Sequence, residues 1–136
     1  MIVVDVNVVT YLWLPGPLTT LAEACAQIDP DWHAPLLWRS EMRNLLAGFV
    51  RHKLLDWSAA EEAMQRAEAS MRGKEHIVAS AAVVSLLARS RCSAYDCEYA
   101  ALAEEKGVKL VTNDKQLTRE FPKLAVSLAD FATRKN

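Results

Sequence analysis

The stretch SAYDCEYAALAEEKGVKLVTND, residues 93–114, decides how this chain reads. Ser93 followed three residues later by Asp96 has the form of a helix-capping box. The helix it opens ends at Lys106-Gly107, a cationic last turn with a glycine stop. Val108 to Val111 then reads as a strand, with Thr112-Asn113-Asp114 just past its end. A helix feeding an apolar strand is half of a βαβ unit, so the rest of the chain is read for strands that could pair in parallel.

The opening residues Met1-Ile2-Val3-Val4-Asp5-Val6 are such a strand. The run is β-branched and apolar without alternation, as in a strand buried on both faces. Asp5 falls at its C-terminal end, with Asn7 just beyond. Pro15-Gly16-Pro17 breaks the chain. Leu18 to Ile28 has helical spacing, stopped by Asp29-Pro30. Trp32 to Leu37 is expected as a second short strand, and Ser40 to Lys53 as an amphipathic helix. Ser58 to Glu61 matches another capping box, opening a helix toward Met71. The mostly apolar segment from Ile77 to Leu87 is long enough to be expected as a buried helix. After Asp114 come a short helix through Phe121, an edge strand over Leu124 to Val126, and a closing helix. Strands alternating with helices imply parallel pairing through crossovers, and hence an α/β fold. Ligands in such sheets bind outside the carboxyl ends of the strands, where Asp5 and Asp114 both fall.

The chain's 136 residues suit one domain, 1–136. Hydrophobic residues make up 51% and charged residues 24%, a globular balance, and the net charge is -1. Nothing here has the basic composition of a nucleic-acid coat, so bound RNA would need local cations or bound metal. Cys25, Cys92 and Cys97 are odd in number and lack metal-type spacing. They are expected as reduced, packed thiols, which favours a cytoplasmic location. No stretch is long enough to span a bilayer, and Asp5 interrupts the only N-terminal apolar run, so no signal peptide is expected.

Four acids carry the chemistry. Each has a plain structural explanation: Asp5 and Asp114 as helix caps, Asp96 as part of a capping box, Glu41 as first-turn charge on the helix dipole. Jointly, two lie at strand ends and two in first helical turns, and all four element ends can point into one crevice. Carboxylates brought that close repel and require compensation. Hard oxygen donors without a His/Cys cluster select Mg²⁺ or Mn²⁺ rather than zinc. Two such ions about 3.5–4 Å apart can activate water and stabilise the leaving oxygen in phosphodiester hydrolysis. Asn7, two residues after Asp5, is a candidate supporting residue. Asn44 shares a helix face with Glu41 and is a candidate to orient it, and the Thr112 hydroxyl is placed to bond the Asp114 carboxylate. Arg39 and Arg43 lie roughly opposite the Glu41 stripe and are expected outside the pocket. His33, His52 and His76 are scattered and not expected to be catalytic. Trp13, Trp32, Trp38 and Trp57 read as core or interface residues rather than platforms for bases.

Val3-Val4-Asp5-Val6-Asn7 resembles the opening strand of PIN domains. Ser40-Glu41-Met42-Arg43-Asn44 resembles their glutamate helix, and residues 93–114 are similar throughout to the last two acid motifs of that family, in particular to VapC-type toxin subunits of toxin–antitoxin pairs. The resemblance implies a three-layer α/β/α fold around a mainly parallel sheet of four or five strands. It implies a Mg²⁺- or Mn²⁺-dependent endoribonuclease acting on an RNA substrate, a homodimer held inactive by a small antitoxin protein. Asp5, Glu41, Asp96 and Asp114 match the family's acid quartet, with Asp5 and Asp96 as principal metal ligands, Glu41 positioning the attacking water, and Asp114 serving a second ion or that water. Asn7 stands where many relatives carry serine or threonine. Two other readings compete: a PIN-fold RNA- or protein-binding module without catalysis, and a phosphatase-like enzyme with Asp5 as nucleophile. The latter wants a second acid where Asn7 stands and a lysine poised on the phosphate.

Overall fold

The run Ile2-Val3-Val4 is buried without exception, and it forms the central strand of the sheet, β1 (Ile2–Val4). The computed structural model describes residues 1–134; the last two residues of the expected domain, Lys135 and Asn136, lie outside the described residues. The other strands are β2 (Trp32–Pro35), β3 (Glu75–His76), β4 (Leu110–Thr112) and β5 (Ala125–Ser127). Their order is β3-β2-β1-β4-β5, and all four pairings are parallel. The α/β class, the parallel sheet and the edge position expected for the strand near 124–126 are all present.

Among the described residues, eight helices connect and cover these strands: α1 (Val6–Trp13), α2 (Thr19–Ile28), α3 (Trp38–Arg51), α4 (Trp57–Ser70), α5 (Ser80–Ala88), α6 (Ala94–Lys106), α7 (Lys115–Glu120) and α8 (Leu128–Ala132). Helix α6 lies on β1, β2 and β4, with α5 packed outside it. Helices α1 and α8 contact β4, α8 also contacts β5, and α2 packs against both helices. Val3, Val4, Val8, Leu110 and Val111 are all fully buried in the shared core. Removing a side chain of that size from water contributes about 1.5–3 kcal/mol. All three cysteines are free and buried, as expected. Trp38 is fully buried and Trp32 nearly so, whereas Trp57 is exposed.

The expected bounds of β2, α3, β4 and β5 shift by one or two residues, and three further differences have a clear local cause. The first strand stops at Val4 rather than Val6, because Asp5 accepts the Asn7 and Val8 amides on Oδ1 and commits Val6 to a helix. The fourth helix is capped by Asp56, not Ser58: Asp56 Oδ1 accepts from the Ala59 amide at 2.7 Å, which leaves Ser58 inside the first turn. The segment expected as a buried helix is neither wholly helical nor buried. Its first residues follow the two-residue strand β3, which Glu75 and His76 gave no reason to expect. In α5 itself only Val83 and Leu86 are buried, because α6 stands between α5 and the sheet.

The expected glycine stop of α6 is present. Gly107 has φ 66 and ψ 33, the left-handed conformation that lets its amide satisfy the last carbonyls of the helix. A Cβ there would meet nothing within 4 Å. Gly107→Ala is therefore expected to cost about 1 kcal/mol from backbone conformation alone, measured by urea denaturation.

Candidate active site

The parallel register of β1 and β4 builds the site. Val4 pairs with Val111, so Asp5 emerges beside Thr112, and the Asp5 amide donates to the Val111 carbonyl at 3.1 Å. Since β2 lies on one side of β1 and β4 on the other, the chain crosses over in opposite directions from this point. That is where open α/β sheets leave a crevice.

Asp5 is buried, with 5% of its surface exposed. Its Oδ1 caps α1, and its Oδ2 accepts a hydrogen bond from the Thr112 hydroxyl. The same hydroxyl oxygen accepts the Asp114 amide at 2.9 Å. Thr112 was expected to bond the Asp114 carboxylate; it bonds the Asp5 carboxylate and the Asp114 backbone instead. The register sets Thr112 against Asp5, while Asp114 Oδ1 is taken by the Gln116 and Leu117 amides of α7 at 2.8 and 3.0 Å. The plain capping roles of Asp5 and Asp114 are thus real, and each fixes the direction of its carboxylate.

Glu41 and Asp96 come from the first turns of α3 and α6. Ser93 Oγ caps α6 by accepting the Asp96 amide at 3.1 Å, as the capping box predicted. One turn beyond Asp96, the buried Tyr99 donates its hydroxyl to Glu41 Oε1 at 2.7 Å. Tyr99 therefore does what was expected of Asn44, which is exposed; among the described residues no hydrogen bond joins Asn44 to Glu41. Sequence reasoning missed Tyr99. Its signal was its place three residues after Asp96, on the same helix face. Asn7 supplies its backbone amide to Asp5, and its side chain lines an adjacent groove.

The acids feel one another. Burial pushes Asp5 up to about 6, and the nearby charge of Asp114 adds to the rise despite the Thr112 and backbone hydrogen bonds. Burial also raises Glu41, followed by the charges of Asp96, Asp5 and Glu98. Asp96 is raised by burial and then by Asp114. The Tyr99 hydroxyl is pushed up by burial and by Glu41, Asp5 and Asp96, so it stays a proton donor. Glu98 is a fifth neighbouring acid that the sequence reading did not single out. Among the described residues none of the four acids forms an ion pair. Arg39 instead holds Glu75 at 2.6 and 2.7 Å, and Arg43 reaches Glu68, so both stand outside the pocket as expected. His33 bonds His76 and Asp31, not the acids.

Among the described residues, no group of three or more His, Cys, Asp or Glu side chains is arranged to hold a metal ion as it stands. A closed cage is not what Mg²⁺ demands. It takes one or two carboxylates directly and completes its octahedron with water. The donor set is all oxygen, negatively charged and uncompensated, which fits a hard divalent cation.

A fold of parallel strands with acids from two strand ends and two helix starts is that of a PIN domain. The PIN domain family model matches residues 2–122, and the chain belongs to that family. Ribonuclease VapC3 of Pyrobaculum aerophilum is 29% identical over 126 residues, covering 90% of this chain and 96% of that protein. The fold is similar to the crystal structure of PAE2754 from Pyrobaculum aerophilum, with a TM-score of 0.75 at 22% identity over 98% of this chain and 97% of that one. It is also similar to the crystal structure of FitAcB from Neisseria gonorrhoeae, with a TM-score of 0.71 at 17% identity over 95% and 99% of the two chains. The expected resemblance to PIN domains, and to VapC-type members among them, is borne out.

Because folding raises the Asp5 pKa from 3.8 to about 6, the folded chain holds this proton more tightly than the unfolded one. The stabilisation from this group is complete below about pH 4 and is lost as the pH rises through about 6. Asp5→Asn, which keeps an oxygen for the cap, is expected to raise stability by about 1–3 kcal/mol near pH 7.5 without divalent cation. The gain should shrink toward pH 4 in urea titrations; an equal effect at both pH values would contradict the electrostatic account.

Proposed function

We propose that this protein is a Mg²⁺-dependent (or Mn²⁺-dependent) endoribonuclease that hydrolyses RNA phosphodiester bonds, and that it is the toxin of a type II toxin–antitoxin pair. One observation carries the reading: Asp5, Glu41, Asp96 and Asp114 act on one another electrostatically at the sheet's switch point, and none has a cationic partner among the described residues. The likeness to Ribonuclease VapC3 over nearly the whole chain supports it.

Asp5 and Asp96 are the principal ligands for the metal. When bound, such an ion supplies an activated water and charge stabilisation of the leaving oxygen. Glu41 is half-buried, and its raised pKa suits it to accept a proton from the attacking water. Tyr99 fixes the direction of Glu41 through Oε1 and leaves Oε2 for that role. Asp114, anchored through Oδ1, would have its second oxygen left to hold another ion or the water.

A homodimer and a small antitoxin are the partners we infer, and a cytoplasmic location suits three buried free thiols. Exposed Ile77, Val84 and Tyr95 beside α5 and α6 support the dimer. The apolar groove of about 470 Å³ between α1 and α3, lined by Tyr11, Leu14, Leu45, Phe49 and Leu55, supports the antitoxin. Among the described residues no helix is long and apolar enough to cross a membrane. A binding module without catalysis would have no use for Asp5, Glu41 and Asp96, buried or half-buried acids whose raised pKa values cost stability near neutral pH.

Cleavage of single-stranded RNA is expected with Mg²⁺ and not with EDTA. Asp96→Asn should lower kcat by at least about 100-fold with an unchanged circular dichroism spectrum, and it should relieve growth arrest on expression. RNA bound but left intact by the wild-type chain at every Mg²⁺ or Mn²⁺ concentration would favour the non-catalytic module. Tyr99→Phe removes only the bond to Glu41 and should cost about 10–100-fold in kcat with little change in KM, read from initial rates.

A further inference from the structure

A pocket of carboxylates repels the polyanion it is meant to cut, so cations must hold RNA nearby. Among the described residues, five basic side chains are held in ion pairs. Arg39 and Arg43 answer to Glu68 and Glu75, Arg66 to Glu62, Lys74 to Asp31, and Arg89 to Glu104. The arrangement differs where α6 and α7 begin. Glu120, the acid on hand there, spends both carboxylate oxygens on the Arg91 amide at 2.9 and 3.1 Å and accepts the Cys92 thiol at 3.2 Å. It pairs with no guanidinium. Gln116 Nε2 holds the Arg91 carbonyl at 3.2 Å, while the Gln116 amide holds the Asp114 carboxylate at 2.8 Å. Two residues after Arg91, Ser93 caps the helix that carries Asp96.

The Arg91 main chain is therefore fastened to α7 through Glu120 and Gln116, two residues before the cap of α6, on the Asp96 and Asp114 side of the site. Its side chain is exposed, as is that of Lys115, the residue after Asp114. Arg119 lies one turn further along α7 and is exposed too. Among the described residues none of the three forms an ion pair. Glu120 spends its oxygens on the Arg91 amide and the Cys92 thiol, although the charge of Arg119 lies near enough to lower its pKa.

We propose that Arg91 and Lys115, extended by Arg119, form a phosphate-binding rim that grips the RNA backbone beside the scissile phosphate. The proposal rests on the ribonuclease reading and adds to it the residues that bind the flanking nucleotides. Arginine and lysine at such positions contact phosphate oxygens, so the rim sets position and affinity without reading base sequence. Because the Arg91 backbone is fixed at both its amide and its carbonyl, the ordering left when RNA arrives is that of the side chain alone.

The test is steady-state cleavage by the full chain with Mg²⁺ over a salt series, on a single-stranded oligonucleotide and on a dinucleotide. The variants are Arg91→Ala/Lys115→Ala and, as a control on a remote surface, Arg66→Ala. The double variant is expected to raise KM for the oligonucleotide about tenfold at low salt with kcat nearly unchanged. The log–log salt dependence should become shallower by about 0.7 for each phosphate contact removed from single-stranded RNA. The dinucleotide, which has no flanking phosphates, should be cleaved as before, and Arg66→Ala should change none of these. If the wild type cleaves RNA and the double variant matches the Arg66 control, the rim is overturned and the nuclease stands. Weaker binding of an acidic partner protein without any change toward RNA would equally overturn it. If the wild type neither binds nor cleaves RNA with Mg²⁺, the nuclease reading falls and takes the rim with it.

Discussion

The hydrogen bond from the Thr112 hydroxyl to the Asp5 carboxylate joins residues 107 positions apart, and the candidate site depends on it. It exists because β1 and β4 pair in parallel with Val4 opposite Val111, which leaves the next residue of each strand side by side. Thr112 then passes the alignment on by accepting the Asp114 amide. One buried hydroxyl thus ties together the two strand-end acids and the helices they cap. Any slip of the β1–β4 register would turn these side chains to the other face of the sheet.

Around that contact the protein carries charge it would be more stable without. Asp5 is buried to the point that its pKa rises to about 6, and Glu41 and Asp96 are raised as well. Some other acids are neutralised, with Arg39 on Glu75 and Arg89 on Glu104. Leaving buried and half-buried acids together in one crevice without a cation is a cost of the kind that concentrates at functional sites. The hydrogen bonds of Thr112, Tyr99 and the helix amides hold the carboxylates in fixed directions, although they do not remove the repulsion.

The covering helices are unequal in the same informative way. Helix α6 is buried on nearly every turn and brings Asp96 and Tyr99 with it. Helix α5 is more apolar than α6, yet it packs chiefly on α6 and leaves Val84 in solvent. Hydrophobicity set α5 apart in the sequence, but its place outside α6 leaves that apolar surface uncovered in the single chain.

Local sequence patterns were enough to specify the α/β class, the parallel sheet, most of the helices, and the four acids as candidates. These are local properties: β-branched runs without alternation, glycine and aspartate caps, and acids at the ends of elements. They did not determine β3, whose Glu75 and His76 carry no strand signal and pair only because β2 offers an open edge. Nor did they identify Asp56 as the cap of α4, the supporting role of Tyr99, or the true partner of Thr112. The Tyr99–Glu41 contact spans 58 positions and the Thr112–Asp5 contact 107. Which hydroxyl meets which carboxylate follows from strand register and helix placement, and these are settled only when the whole sheet is assembled, because the free energy that fixes them comes from burial shared across distant segments.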